Sequence, residues 1–423
     1  MKILVTGASG FIGSRLVSAL RRSGHRVVTA GRRAVPSCEF IEADFSQPPP
    51  PVFWRSHLDD VDVVVNAVGL LKERAGQTFE ALHVQGPCAL FEACATAGVG
   101  RIVQISALGA DAQARSRYHL SKKAADDFLH GLEVSAVVVQ PSLVYGAGGG
   151  SATLFTGMAT LPLIPLPGRG GQCLQPVHVD DLVAVLLRLV ESTDRPRAVH
   201  RLPVVGPVPL SLRELLAELR TAMSLPRARF LPVPMGLARL TARLAGRLPG
   251  SLLEVATLDM LERGNTAPVA PTEAVLGHSP RPPSAFIEPP ARAGALALGR
   301  LWWWLPLLRW SVALVWIVTG LLSFGLYPVQ DSLGLLRQFG VSGAWAMPLL
   351  YGAALLDLLL GLAVLVWPRR RALWALQAAS MLGYTALLTW RLPAFWLHPF
   401  GPLLKNLPLL AAIGLLWTFE EKR

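Results

Sequence analysis

A doubly wound α/β domain followed by an all-α membrane domain is the architecture predicted by the 423-residue sequence. Three observations carry this expectation. Short apolar strands alternate with helical segments as far as about Arg300, a glycine-rich turn joins the first strand to the first helix, and beyond Arg300 come long stretches with almost no charge. The tryptophans divide at the same place. Eleven of the twelve lie after Leu301 and Trp54 alone lies before it, as expected of two parts that fold in two solvents.

Taken in order, Lys2–Thr6 is an apolar strand, and Phe11–Arg22 carries apolar residues at helical spacing: Phe11, Ile12, Leu16, Val17 and Leu20. Gly24 and His25 turn the chain. Further strands are expected at residues 26–30, 61–65, 101–105 and 134–140, with helices between them. Each crossover has to return over a face of the sheet, so the alternation gives a parallel sheet covered on both sides. After Gly146 the turn residues multiply, and helices at 179–191 and 210–223 belong to a smaller, substrate-side region of about 147–290. Frequent proline at 264–290 keeps any helix there short. The expected organisation is an α/β domain over 1–290, a linker at 291–300 and a membrane domain at 301–423.

The 40 basic residues outnumber the 28 acidic ones, yet they cluster neither with aromatics nor along one helix, which argues against nucleic acid. A basic surface near anionic lipid, with loop charges on the cytoplasmic side, accounts for the excess. Cys38, Cys88, Cys94 and Cys173 lie far apart without disulfide or zinc spacing; no metal is expected and a reducing cytoplasm suits them. The chain opens on a strand, with no charged n-region before an apolar h-region, so no leader peptide is expected.

The glycine-rich turn runs Thr6, Gly7, Ala8, Ser9, Gly10, Phe11, Ile12, Gly13, between a strand and a helix, which is the context that makes such a pattern informative. One glycine permits the tight turn, the next lets the backbone approach a pyrophosphate, and the third lets the helix pack on the strand while its N-terminus faces the anion. The pattern therefore predicts a dinucleotide. The second strand runs into Arg32 and Arg33, where a carboxylate would otherwise bind ribose hydroxyls. Two guanidiniums attract a 2′-phosphate, so NADP(H) is favoured, with NAD(H) the alternative.

In order and spacing, TGASGFIG, Asp44, NAVG at 66–69, QISALGAD, YHLSK and QPSLVYG resemble the short-chain dehydrogenase/reductase superfamily over roughly residues 1–290. The likeness is greatest to the atypical and extended, NAD-dependent epimerase/dehydratase-like branch that includes the 39 kDa accessory subunit of respiratory complex I. The resemblance implies a Rossmann fold and roles for particular residues. Tyr118 would be the general acid or base for a substrate hydroxyl or carbonyl. Lys122, four residues on and so on the same helix face, would bind the nicotinamide ribose. A phenol of pKa about 10 is a poor base at neutral pH, and a nearby ammonium stabilises its phenolate. Ser106 completes this catalytic group at the strand end beside the nicotinamide ribose.

Asp44, with Phe45 next to it, resembles the residue contacting adenine, and Asn66, Ala67, Val68 and Gly69 resemble the strand-end motif beside the cofactor. Pro141 and Ser142 resemble the segment near the nicotinamide amide, and Gln85 stands where many members have asparagine. One departure matters. The serine or threonine that polarises the substrate oxygen is replaced by Leu108, which cannot donate to a developing oxyanion, a loss worth about 10²-fold in rate. His178 reads either as a substrate contact or, with Asp180, as the cap of the following helix.

Four membrane spans are expected, at 310–327, 343–367, 372–390 and 400–419. They resemble the DoxX-like family of four-helix membrane domains, notably in HPFGPLLKNLPLL at 398–410. Asp357 and Lys405 are charges at membrane depth, which are usually functional. They pair if the second span begins near Pro348; if it begins near Gly343, Lys405 snorkels to the surface instead. Arg309, Arg369, Arg370, Arg371, Lys422 and Arg423 fall on one side and only Arg337 and Arg391 on the other, which puts both termini and the α/β domain in the cytoplasm of a multi-pass inner-membrane protein.

The function expected from these features is a membrane-anchored, NADP(H)-binding oxidoreductase acting on a lipophilic hydroxyl or carbonyl compound: a lipid, an isoprenoid or a quinone-like molecule. The alternative is a non-catalytic, cofactor-binding sensor or scaffold with membrane-protein partners, as in a respiratory complex.

Overall fold

Residues branched at Cβ fill the central strands and are buried on both faces, the pattern of a parallel sheet sandwiched between helices. In the computed structural model, which describes residues 1–246, 254–367, 370–399 and 401–420, these strands form a seven-stranded parallel sheet. They are β1 (Lys2–Thr6), β2 (Arg26–Gly31), β3 (Glu39–Glu42), β4 (Val63–Asn66), β5 (Arg101–Ile105), β6 (Ala136–Pro141) and an edge strand, Val199–Val204. The order across the sheet is Val199–Val204, β6, β5, β4, β1, β2, β3. The order therefore reverses between β1 and β4, which pair in register from Ile3 with Val63 to Thr6 with Asn66. Ligands of doubly wound sheets bind at the carboxyl ends of the strands at such a reversal.

The expected strands are present, but β3 and the edge strand were not foreseen. β3 has four residues with glutamate at both ends, and the edge strand contains His200, Arg201 and Pro203, so neither stands out from its surroundings. On one face of the sheet, α1 (Phe11–Arg22) and Val179–Glu191 bury Leu16, Leu20, Leu182 and Leu186. On the other face, α2 (Pro51–Arg55), α3 (Gly86–Ala97) and α4 (Arg117–His130) bury Trp54, Leu90, Phe91 and Leu129. A third cluster lies between Gly150–Thr160 and Leu212–Ala222, where buried Arg220 donates to the carbonyls of Ala159 and Leu161. The helix Leu212–Ala222 starts at a capping box formed by Ser211 and Glu214.

These elements form one compact unit, Met1–Gly299; a second is Arg300–Arg423. Among the described residues three helical stretches are long and apolar enough to cross a membrane: Gly343–Val366 and Arg371–Arg391 in the second unit, and Pro289–Leu326, which begins before Arg300. The fourth expected span is shorter. Its helix is Asn406–Phe419, 14 residues, about 21 Å at 1.5 Å per residue against a hydrocarbon core of about 30 Å. Gly401, at φ +50°, and Pro402 keep the preceding residues out of the helix, and Phe400 lies outside the described residues. An amphipathic helix, Val329–Gln338, also separates the first two long stretches, where a loop was expected.

Small residues let the first two long helices touch. A Cβ on Gly320 would sit 2.8 Å from the Ala354 carbonyl oxygen, and one on Gly361 would sit 2.9 Å from that of Ala313. At one end of the unit the Glu420 carboxylate accepts from Trp374 Nε1 at 3.1 Å and pairs with Arg309 and Arg370 at 3.5 Å. Arg369, Lys422 and Arg423 lie outside the described residues. Asp357 is buried and Lys405 is exposed, and no ion pair joins them among the described residues. Lys405 immediately precedes the short fourth helix, with its side chain turned to the outside.

Candidate functional site

The turn after β1 accommodates only glycine at two points. Gly7 has φ +67°, and a Cβ there would lie 2.5 Å from the Ala67 carbonyl oxygen; one on Gly13 would lie 2.2 Å from that of Gly7. Backbone hydrogen bonds from Gly10 to Gly7 and from Ser14 to Gly10 tighten the turn. α1 then begins with no side-chain cap and no acidic residue in its first turn, so its free N–H groups remain available to an anion. Ser9 and Gly10 are exposed, Ala8 is buried, and Ile12 is half-buried. Phe11 packs over Gly149, where a Cβ would meet its ring at 2.8 Å, and Arg15 lies over the same ring. A cradle that excludes Cβ atoms and presents unpaired N–H groups fits a dinucleotide pyrophosphate.

At the β4 end, Asn66 is a structural tie. Its Oδ1 accepts from Thr6 Oγ1 at 2.6 Å, and its Nδ2 donates to Gln104 Oε1 at 2.7 Å, linking the ends of β1, β4 and β5. Ala67 donates its N–H to the Thr6 carbonyl, and Val68 is buried. Phe45 is a core side chain, 5.8 Å from Trp54 between ring centroids. Pro141 accepts from the Leu108 N–H, and the Ser142 hydroxyl donates to the Gln175 carbonyl at 2.5 Å.

The adenosine side expected from the sequence contains Arg32, Arg33 and Asp44. Asp44 accepts from the backbone and hydroxyl of Ser46, which, with the Arg32 charge nearby, holds its carboxyl below the usual range. Arg33 is exposed. With its amide oxygen turned towards the guanidinium, the Gln77 side chain is a partner of Arg32 that the sequence did not suggest.

The other side of the site is built on α4. Ser116 caps the helix, accepting from the His119 N–H at 3.2 Å, and Tyr118 and Lys122 follow on one face. The Tyr118 ring meets His83 edge-on at 5.6 Å and Phe79 at 6.1 Å between centroids. Lys122 is buried, and its Nζ donates to the carbonyls of Val68 and Ile105, each at 3.1 Å. A Cβ on Gly69 would sit 3.1 Å from this Nζ, so glycine at that position makes room for the lysine. Burial pushes Lys122 down to about 8, opposed by the Asp126 charge, and pushes Tyr118 up to about 12, with the same charge adding to the rise.

Asp126 and His83 were missed. Asp126 is fully buried, accepts from the Ser106 hydroxyl at 2.5 Å, and is pushed up to about 6 by burial, opposed first by that hydrogen bond. Ser106 is thus committed to the interior carboxylate. Asp126 stands four residues after Lys122 and eight after Tyr118, a spacing that the sequence did display. His83 lies in a π-helical turn, Glu80–Gln85, which no periodicity announces. Its Nε2 accepts from the Leu70 N–H at 3.0 Å, so Nδ1 carries the proton towards Ser121 Oγ at 2.8 Å. Burial, with the Lys122 charge, holds His83 down at about 2, so the ring stays neutral. Gln85 is exposed at the end of that turn. His178 is a helix cap, its Nδ1 accepting from the Asp180 N–H at 3.3 Å. Leu108 puts no donor where the polarising hydroxyl was looked for; its own carbonyl accepts from Asn265 Nδ2 at 3.3 Å.

A phosphate-cradling turn at the sheet reversal, with a tyrosine and a lysine one helical turn apart beyond it, defines a Rossmann domain of the short-chain dehydrogenase/reductase kind. Residues 3–202 match the NAD dependent epimerase/dehydratase family, and residues 313–414 match the DoxX-like family. The chain is 30% identical over 221 residues to the ceramide reductase of Caulobacter vibrioides, covering 49% of this chain and 64% of that protein's length. It is 27% identical over 285 residues to the mouse mitochondrial NADH dehydrogenase [ubiquinone] 1 alpha subcomplex subunit 9, covering 64% of this chain and 73% of that protein. The Bordetella bronchiseptica enzyme WbmG, solved with NAD and UDP, shares the fold with a TM-score of 0.52 at 17% identity, covering 71% of this chain and 96% of WbmG.

Proposed function

We propose that the protein is a membrane-anchored, NADP(H)-dependent oxidoreductase that acts on a lipophilic hydroxyl or carbonyl compound. The observation that carries this reading is the α4 constellation: Tyr118, half-buried, and Lys122, buried, one helical turn apart on the same face, in a chain that also has spans for a bilayer. The likeness to a ceramide reductase supports a lipid as the substrate class. Arg32 and Arg33 support NADP(H), while WbmG, solved with NAD, keeps NAD(H) as the alternative.

A bound nicotinamide would supply or accept the hydride. The protein's own part is to hold and to move a proton. Gly7, Gly10 and Gly13, with Ala8, Ser9, Phe11 and Ile12 between them, would seat the pyrophosphate; Asp44 the adenine; and Lys122 a ribose hydroxyl. Tyr118 would exchange its phenolic proton with the substrate oxygen, and the Lys122 ammonium would stabilise the phenolate. With Leu108 supplying no donor, Tyr118 carries the substrate oxygen alone.

The domain and both termini are read as cytoplasmic at an inner membrane, from the excess of Arg309, Arg370 and Arg371 over Arg337 and Arg391. The test is NADPH oxidation by the full chain in detergent or liposomes, supplied with fractionated lipid carbonyl compounds. Tyr118→Phe should lower turnover by about 10²–10⁴-fold with cofactor binding unchanged. Equal turnover in the variant would sink the reading.

A second reading, a cofactor-holding subunit that does not turn over, is favoured by one observation. Both Lys122 hydrogen bonds go to backbone carbonyls, and burial raises Tyr118, so the pair also suits a closed structural site. Its support among relatives is the NADH dehydrogenase subunit. NADPH that co-purifies and does not exchange, with no turnover on any lipid fraction, would favour this reading over the first.

A further inference from the structure

The loop after β4 forms a strap that reaches from the α4 side to the end of β2. Its fixed points flank Gln77 on both sides. Lys72 pairs with Glu254; Glu73 pairs with Arg117 at 2.7 Å and accepts from the Phe79 N–H at 2.8 Å. Arg74 and Gln77 exchange backbone hydrogen bonds at 3.0 and 2.8 Å around Gly76, which has φ +76°. The Gln77 amide therefore projects from a tied hairpin. With its oxygen turned to Arg32, that oxygen accepts from Nη1 at 2.6 Å and from Nη2 at 2.7 Å.

A guanidinium has five N–H donors and two bidentate edges. Gln77 takes the edge between the two Nη atoms. The side edge, Nε with the outer hydrogen of one Nη, has no hydrogen-bond partner among the described residues and is exposed. The Asp44 carboxylate, which feels the Arg32 charge, is itself engaged by Ser46. A long side chain at a surface ordinarily loses rotamer freedom on binding; here a neutral amide has already fixed it without cancelling its charge.

We infer that Gln77 is a specificity-determining residue: it orients the Arg32 guanidinium so that its open edge receives the 2′-phosphate of the cofactor. The inference rests on the NADP(H) reading above and goes beyond it, because it assigns the discrimination to a pair of residues. Its chemistry predicts opposite demands on size and charge at position 77. A side chain of similar length without an acceptor frees Arg32, whereas a carboxylate holds it but neutralises it.

The experiment uses the full chain in detergent and two probes, adenosine 2′,5′-bisphosphate and 5′-AMP, with dissociation constants measured by calorimetry at fixed salt. Wild type should prefer the bisphosphate by at least about tenfold, as expected of a bidentate charged pair. Gln77→Met should weaken the bisphosphate about three- to fivefold, and Gln77→Glu more than tenfold, with 5′-AMP within about twofold of wild type in both. Arg32→Ala is the control for the underlying reading. If wild type shows no preference, the NADP(H) reading falls and the role of Gln77 with it; if wild type has the preference and Arg32→Ala leaves it intact, Arg32 does not hold the phosphate and the role of Gln77 is overturned. If Arg32→Ala abolishes the preference while Gln77→Met binds the bisphosphate as well as wild type does, the NADP(H) reading stands and the role of Gln77 is overturned.

Discussion

Each unit of the molecule has a carboxylate deep in its interior, Asp126 in the first and Asp357 in the second, and the two are treated differently. In the α/β unit Asp126 is fully buried and has company: the Ser106 hydroxyl at 2.5 Å, the buried Lys122 ammonium and the Arg201 guanidinium. In the membrane unit Asp357 is 7% exposed and has no hydrogen bond or ion pair among the described residues. Other polar side chains of that unit are incompletely bonded too. Gln377 spends its Nε2 on the Leu360 carbonyl at 3.2 Å and leaves Oε1 unbonded, and the Trp316 indole N–H is also unbonded. A buried carboxylate with partners acts as part of a site, and removing it strands those partners; one without partners is only a cost to folding. The α/β unit therefore uses its buried charge to hold α4 against the ends of β4 and β5, whereas the membrane unit is held by small residues and apolar contact.

The sharpest way to break this comparison is to remove both carboxylates. Asp126→Leu leaves the Ser106 hydroxyl without its acceptor and the buried Lys122 ammonium without the charge that offsets it, and should destabilise the Met1–Gly299 unit by about 3–5 kcal/mol. Pulse proteolysis of the full chain in detergent, following fragments of each unit separately, reads the effect. A loss below about 1 kcal/mol would mean that Lys122 is held by the Val68 and Ile105 carbonyls alone.

Acid should sharpen the same contrast with a smaller effect. His83 and His119 are held neutral mainly by burial, at about 2 and about 4, far below an unfolded value near 6.5. As pH falls through 6.5 the unfolded chain takes up protons that the folded chain refuses, so the stability present above 6.5 is lost. Asp126 acts in the opposite sense below about 6, since its raised folded value lets the native state bind a proton first. Two losses and one gain leave about 2 kcal/mol lost between pH 6.5 and pH 5. The membrane unit has one histidine, His398. Proteolytic stability measured across that range should fall for the α/β unit, and His83→Gln should remove about half of the histidine contribution. A flat profile would show that His83 and His119 titrate normally.

Much of this was legible in the sequence because it rests on local rules. The strand, turn and helix at 2–22 declare themselves through apolar spacing and three glycines, and the contacts at Gly7 and Gly13 show why no other residue fits there. Tyr118 and Lys122 were readable because four residues make a helical turn, and Asp126 obeys the same rule one turn further on. The rest was hidden because it depends on chain crossings. Gln77 meets Arg32 across 45 residues, and His83 reaches the Leu70 N–H from a π-helical turn. The fourth membrane helix was over-read because hydropathy counts apolar residues without asking whether Gly401 and Pro402 allow them to be helical.

The smallest effect, and the one with the most telling sign, belongs to Asp357. An unpaired carboxylate inside a helical membrane unit stabilises nothing by itself, and an intramembrane acid costs about 2.5–3.5 kcal/mol at a helix centre relative to an apolar residue. Asp357→Leu conserves most of the volume and should leave the stability of the Arg300–Arg423 unit unchanged or raise it by about 1 kcal/mol or more, as read by resistance to SDS unfolding in mixed micelles. Asp126→Leu should do the reverse in its own unit. If Asp357→Leu instead destabilises by a kcal/mol or more, the carboxylate has a partner in the bilayer that the isolated chain does not supply. The two units would then be alike, each having built its buried charge around something it binds.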